Sequence, residues 1–163
     1  MQIVTAALQL RLADLGPGAS LIVWSMRAVA AGFCRHQLMN AGYAALFNID
    51  AERTIEAVES AIAAIGTAGG QRLQLMPPCS ELITDDEFMI ASCFCAAQQN
   101  NEYDLAERMR PIVSSPDYES TKLALMRAVA IFSEHNIPIN MPTIEWVDHA
   151  NVRQPTHDFV GHA

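Results

Sequence analysis

Residues 19 to 34 constrain the fold of this chain more than any other stretch. They read Ala-Ser-Leu-Ile-Val-Trp-Ser-Met-Arg-Ala-Val-Ala-Ala-Gly-Phe-Cys, and Arg27 is the only charged residue among them. A helix that is apolar on every side needs either other helices or lipid around it. The charge at Arg27, followed by Arg35 and His36, makes lipid the poorer interpretation. The stretch therefore predicts a buried central helix, at about residues 20 to 40, inside a helical bundle.

Helical signals recur along the rest of the chain. Apolar residues at spacings of three and four, as in residues 51 to 65, are typical of amphipathic helices. Residue types that cap helix starts stand at Ser20, Asp50, Thr84 and Ser115. The strongest of these signals is Thr84, because Glu87 three residues later completes a capping box. We expect an all-α, compact single-domain bundle of five to seven helices.

The prolines and glycines predict where this bundle begins and ends. Gly16-Pro17-Gly18 is expected to end a first helical segment at residues 2 to 14. The helical domain is expected to cover residues 1 to 136. Residues 137 to 163 form an irregular, proline-interrupted C-terminal segment, which we expect to pack on the domain or on a partner and to end in flexible residues.

Charge and composition narrow the classes of partner. The formal net charge of −8 repels phosphate backbones, so we expect no binding of nucleic acid. No segment is long and apolar enough to predict a membrane span, and the N-terminal residues lack the basic region of a secretory signal. The four cysteines are then expected to be reduced thiols, and the protein to be cytoplasmic.

The cysteines and histidines do not predict a metal site or a cofactor. Cys93 and Cys95 are two residues apart on a predicted helix, which places them about 200° apart around its axis. They are therefore expected to serve as packing residues. Glu145 and His149 share a helix face by their spacing of four, but two ligands do not complete a metal site.

Arg27 is the first of four residues that could line a binding site. A charge within an apolar helix needs a partner, and the sequence offers two interpretations. The partner is a carboxylate in a structural ion pair, or Arg27 binds an anionic ligand. The carboxylates considered are Asp85, Asp86, Glu87 and Glu134.

The other three candidate site residues are His36, Cys79 and His135. His36 lies at the predicted end of the central helix, where a positive charge favours the helix dipole. Cys79 follows two prolines in a predicted loop, so its thiol is expected to be exposed. Helical bundles build ligand sites between facing helices, so these residues with Arg27 could line a pocket for a small molecule or a metal.

The leading functional interpretation is association without catalysis. The sequence contains no phosphate loop, dinucleotide-binding glycine motif, metalloprotease pair or nucleophile elbow. Large apolar residues between prolines, in residues 137 to 146, must pack on the domain or on a partner. We therefore expect a non-enzymatic protein that forms a homodimer or binds a protein partner. The alternative is a ligand- or metal-binding protein with the pocket described above.

Overall fold

A computed structural model describes residues 10–70 and 72–143. The expected helix at residues 2–14, the Glu145/His149 pair and Trp146 lie largely or wholly outside these ranges. Seven α-helices occur in the described ranges: α1 Pro17–Ala30, α2 Arg35–Leu38, α3 Ala44–Phe47, α4 Ala51–Ala68, α5 Asp85–Gln98, α6 Glu102–Met109 and α7 Tyr118–Glu134. No strand forms within these ranges, so the predicted all-α fold is confirmed.

Helix α1 is the buried centre of the bundle, as the sequence predicts. It packs against α4 and α5, and nine of its fourteen residues are buried. Pro17 is its first residue, where the missing amide N–H of proline costs no hydrogen bond. The prediction that Ser20 caps this helix is wrong. Ser20 lies inside the first turns, and its hydroxyl donates to the carbonyl of Leu12 at 3.0 Å.

The predicted extension of α1 to about residue 40 is also wrong. The helix ends at Ala30, and the chain turns at Gly32, whose φ of +80° suits a residue without Cβ. A new helix, α2, then starts after Cys34. A π-helical turn, Met39–Tyr43, joins α2 to the short helix α3.

Helices α4 and α7 form the most extensive helix pair of the fold. The buried residues of α4 recur at spacings of three and four, as predicted for residues 51 to 65, and the helix continues two residues beyond Gly66. Asp50 precedes α4 as expected, but its side chain does not cap the helix. Its carboxylate instead pairs with Arg53 at 3.3 Å and lies 2.9 Å from the ring Nε2 of His135. Ser115 begins a 3-10 turn that leads into α7.

The capping box at the start of α5 is confirmed. The amide of Glu87 donates to the Thr84 hydroxyl at 3.1 Å, and the amide of Thr84 donates to the Glu87 carboxylate at 3.0 Å. The Thr84 hydroxyl also donates to the carbonyl of Gln74 at 2.6 Å, which ties the connector of residues 72–84 to this helix start.

We expect Thr84→Ala to lower the free energy of unfolding by about 1–2 kcal/mol, because the variant loses the cap and the bond to Gln74. Thr84→Ser, which keeps the hydroxyl, should lose much less. Urea denaturation with an unchanged slope measures both variants. Equal losses in the two variants would mean that the hydroxyl is not the stabilising group.

The chain after α7 packs back onto the bundle. Ile137 and Ile139 are buried. The Gln98 side chain donates to the carbonyl of Ile137 at 2.9 Å and accepts from the amide of Ile139 at 2.7 Å. One glutamine thus holds the main chain on both sides of Pro138, against the start of α1.

Candidate functional site

The Arg27 side chain is 1% exposed and is held by the protein itself. Its Nε and Nη2 donate to the two carboxylate oxygens of Glu87 at 2.7 and 2.8 Å. Nη1 donates to the carbonyl of Ser80 at 2.7 Å, and Nη2 also donates to that of Leu82 at 2.6 Å. The ion pair predicted for Arg27 is therefore confirmed, and Glu87 is the partner among the four carboxylates considered.

The connector of residues 72–84 closes this ion pair on its other side. The Glu87 carboxylate, also fully buried, accepts the backbone amides of Met76 at 2.8 Å and Thr84 at 3.0 Å. Each charge is thus matched by the other and by backbone groups of the same connector. This arrangement binds the connector to α1 and α5, and it explains how an apolar helix tolerates a charge.

The cysteines differ in exposure. Cys79, in the connector, and Cys34 are exposed free thiols, and the expected exposure of Cys79 is confirmed. Cys93 is fully buried, and burial raises the pKa of its thiol to about 12. Burial also raises the pKa of the partly buried Cys95. Cys93 therefore acts as a packing residue, because its reactive thiolate form is suppressed.

The two candidate histidines, His36 and His135, lie near the two ends of residues 37–49. His36 is exposed on α2, and its ring shares a hydrogen bond of 3.2 Å with Asn40. His135 follows α7, and its Nε2 lies 2.9 Å from a carboxylate oxygen of Asp50. Its ring packs edge-on against Phe47 with centroids 5.3 Å apart.

The four candidate residues therefore separate into two groups. Cys79 lies in the connector, which Arg27 on α1 contacts through the carbonyl of Ser80, whereas His36 and His135 lie at the two ends of residues 37–49. In the described ranges, no hydrogen bond or ion pair joins any two of the four. Two surface cavities, of about 270 and 230 Å³, are lined by other residues. The shared pocket stays a prediction without direct support.

Residues 37–49, which we call the uncharged segment, form the most unusual surface of the described chain. No residue from Gln37 to Ile49 carries a charge. Ile49 is 97% exposed and Leu46 is 37% exposed. Ala44 and Ala45 are exposed beside them. An exposed large aliphatic side chain keeps apolar area in contact with water, and apolar side chains exposed together make this segment a candidate contact surface.

Buried aromatic rings hold the uncharged segment in place. Phe47 is fully buried and packs edge-on against Phe132 of α7 with centroids 5.0 Å apart. It stacks on Tyr43, whose hydroxyl lies 2.7 Å from that of Ser25. Burial raises the pKa of Tyr43, so the hydroxyl stays protonated. With these rings pointing inward, Leu46 and Ile49 project outward.

The backbone of the uncharged segment is distorted at two points. Gly42 interrupts the π-helical turn with a φ of +141°. Asn48, directly before Ile49, has φ +48° and ψ −119°, a conformation that a residue with Cβ adopts only under strain. Strain of this kind clusters at binding and catalytic sites, and here it positions an exposed isoleucine at the tip of a turn.

Charges at the two ends of the uncharged segment are paired. Arg35 pairs with Glu59 at 3.1 Å. At the other end Arg53 contacts Asp50 at 3.3 Å and Glu134 at 2.7 Å. The segment is thus a surface without charge between two ion-paired clusters, on which the amides of Gln37, Asn40 and Asn48 are exposed beside apolar side chains.

Sequence reasoning did not identify this surface, although one signal was present. The run without charge from Gln37 to Ile49 is visible in the sequence. The spacing of its apolar residues does not show which of them face solvent, because the π-helical turn shifts the helical register.

The described residues hold no cluster of three or more histidine, cysteine, aspartate or glutamate side chains that could bind a metal. Over the same residues, none of the helices combines the length and apolar character that crossing a bilayer requires. No protein-family model, curated protein or solved structure matches the chain.

Proposed function

We propose that this protein acts by association, as a homodimer in which the uncharged segments of two copies face each other. The observation that carries the proposal is Ile49, which is 97% exposed at the tip of a strained turn. Two copies would bury this side chain and Leu46 against each other. Twofold symmetric contacts of this kind are the commonest way in which identical chains associate.

The charge distribution favours a second copy as the partner. With a formal net charge of −8, two copies repel each other over most of their surfaces. The uncharged segment adds no charge of its own to this repulsion, and Arg35 and Arg53 at its two ends are already paired with carboxylates. This favours self-association at this surface.

Two further expectations belong to the same proposal. The exposed free thiols of Cys34 and Cys79 support a location in the reducing cytoplasm. The negative net charge supports a protein partner over nucleic acid. The alternative function, ligand binding at Arg27, His36, Cys79 and His135, has less support because the Arg27 side chain is already held by Glu87.

Sedimentation velocity of the wild-type chain over a range of concentrations tests the proposal. We expect a species of twice the 17.8 kDa monomer mass. Ile49→Asp should convert it to monomer, because each dimer would bury two unpaired charges. Since Ile49 is almost fully exposed, the free energy of unfolding of the variant should stay within about 0.5 kcal/mol of the wild-type value, measured at concentrations where the wild type is also monomeric.

Leu123→Asp is the matched control, because Leu123 is 52% exposed on α7, away from the uncharged segment. This variant should remain dimeric. A wild-type chain that is monomeric at every concentration would refute the proposal. A dimer that survives Ile49→Asp would place the contact elsewhere.

A further inference from the structure

A second surface, between α6 and α7, is independent of the uncharged segment. A cavity of about 230 Å³ opens there, with Ala96, Ala97, Leu105 and Met126 among its lining residues. Two large apolar side chains are also exposed on the helices that border it. Tyr103, 78% exposed, follows the lining residue Glu102, and Leu123 follows the lining residue Lys122.

The helical positions place these residues around one opening. Leu123 and Met126 are three residues apart on α7, so their side chains are neighbours on the helix surface. Across the opening, the ammonium group of Lys122 pairs with the carboxylate of Glu102 at 2.9 Å. The opening of the cavity, whose apolar lining includes Leu105 and Met126, is therefore spanned by one ion pair, and Leu123 is exposed next to Met126.

The mouth of the cavity carries a net negative charge. Glu119 lies three residues before Lys122 on α7, so the two side chains are neighbours on the helix surface. The hydrogen bond to Glu102 raises the pKa of Lys122, and the charge of Glu119 raises it further. Glu119 is itself exposed, one turn before Leu123. Two carboxylates thus surround one ammonium group, and they attract a partner that carries positive charge next to its apolar anchor.

We propose that the α6–α7 cavity binds a cationic amphipathic helix of another protein. An apolar side chain of that helix would enter the cavity, and its neighbours at spacings of three and four would contact Tyr103 and Leu123. Lysine or arginine residues beside the anchor would meet Glu102 and Glu119. The cavity, about 230 Å³, is large enough to admit one leucine or methionine side chain as a single anchor.

The test uses a fluorescein-labelled amphipathic helical peptide made of leucine and lysine, and a counterpart made of leucine and glutamate. Fluorescence anisotropy with the full chain should show binding of the lysine peptide and not of the glutamate peptide. Leu123→Gln, which removes an apolar contact without adding charge, should weaken binding of the lysine peptide about tenfold or more.

A charge-matched pair of variants separates this site from general attraction to an acidic protein. Glu102→Gln with Glu119→Gln should weaken binding about five- to tenfold, whereas Glu52→Gln with Glu56→Gln, two exposed positions on α4, should have little effect. Equal effects of the two double variants would overturn the proposal, as would a chain that does not bind the lysine peptide.

This proposal does not depend on the homodimer. The Ile49→Asp chain should bind the lysine peptide as tightly as the wild type, whatever its mass in sedimentation. Loss of peptide binding in this variant would place the peptide on the uncharged segment and contradict the proposal. The sedimentation experiment tests the homodimer separately.

Discussion

Replacing Arg27 with methionine should lower the free energy of unfolding by about 3–5 kcal/mol. Methionine keeps much of the stem of arginine, so little of this loss would come from a cavity. The loss arises because the Glu87 carboxylate stays fully buried without its cation, and the carbonyls of Ser80 and Leu82 lose their donors. Equilibrium unfolding in urea measures the difference between the two chains.

Arg53→Met is the control for this variant, since Arg53 makes an ion pair of the same length with Glu134 at the surface. Because both side chains are about half exposed, its loss should be at most about 1 kcal/mol. The competing interpretation, an anion site at Arg27, predicts no loss of stability in Arg27→Met. Arg27→Met would then be as stable as the wild type, and added phosphate would stabilise only the wild type.

Gly18→Ala should lower the free energy of unfolding by about 1–3 kcal/mol, because the new methyl group has no room. A Cβ at this position would lie 2.5 Å from the carbonyl oxygen of Pro138 and 3.1 Å from a side-chain carbon of Ile139. The main-chain oxygen cannot move aside easily, since Gln98 holds the backbone on both sides of it. The start of α1 and the chain after α7 would have to separate.

Gly66→Ala provides the matched control within another helix. No atom lies within 4 Å of a Cβ built at Gly66, and the residue is inside α4. Alanine should therefore raise stability there by about 0.5–1 kcal/mol, through lower backbone entropy in the unfolded chain. Thermal or urea unfolding measures the free energy of unfolding of both variants and of the wild type. Equal stability of Gly18→Ala and the wild type would show that Pro138 does not lie against α1.

Local sequence signals predict a helix start best when the capping side chain accepts a free backbone amide of the helix that it begins. Thr84 accepts the backbone amide three residues ahead, as its position predicts, and Asn101 does the same at the start of α6. Ser20 and Asp50 have equally suitable side chains, but the surrounding structure determines what they bind. Ser20 lies within a helix that Pro17 begins earlier, and His135 competes for the Asp50 carboxylate.

The parts of the candidate site that the sequence could not predict depend on contacts between residues that lie far apart in the chain. The need of Arg27 for a carboxylate follows from the apolar helix around it, but Glu87 is 60 residues away, and no local pattern separates it from Asp86. In the uncharged segment, the packing of Phe47 on Phe132 selects which side chains face outward. That contact joins α3 to α7, which lie far apart in the sequence.

The contact between Gly16 and Asn140 has a topological consequence. The amide of Gly16 donates to the carbonyl of Asn140 at 3.3 Å, so the chain that enters α1 touches the chain that leaves α7. The two ends of the helical bundle therefore lie side by side. The bundle could thus be circularly permuted, or inserted into an exposed loop of a host protein, with both connections leaving from one place.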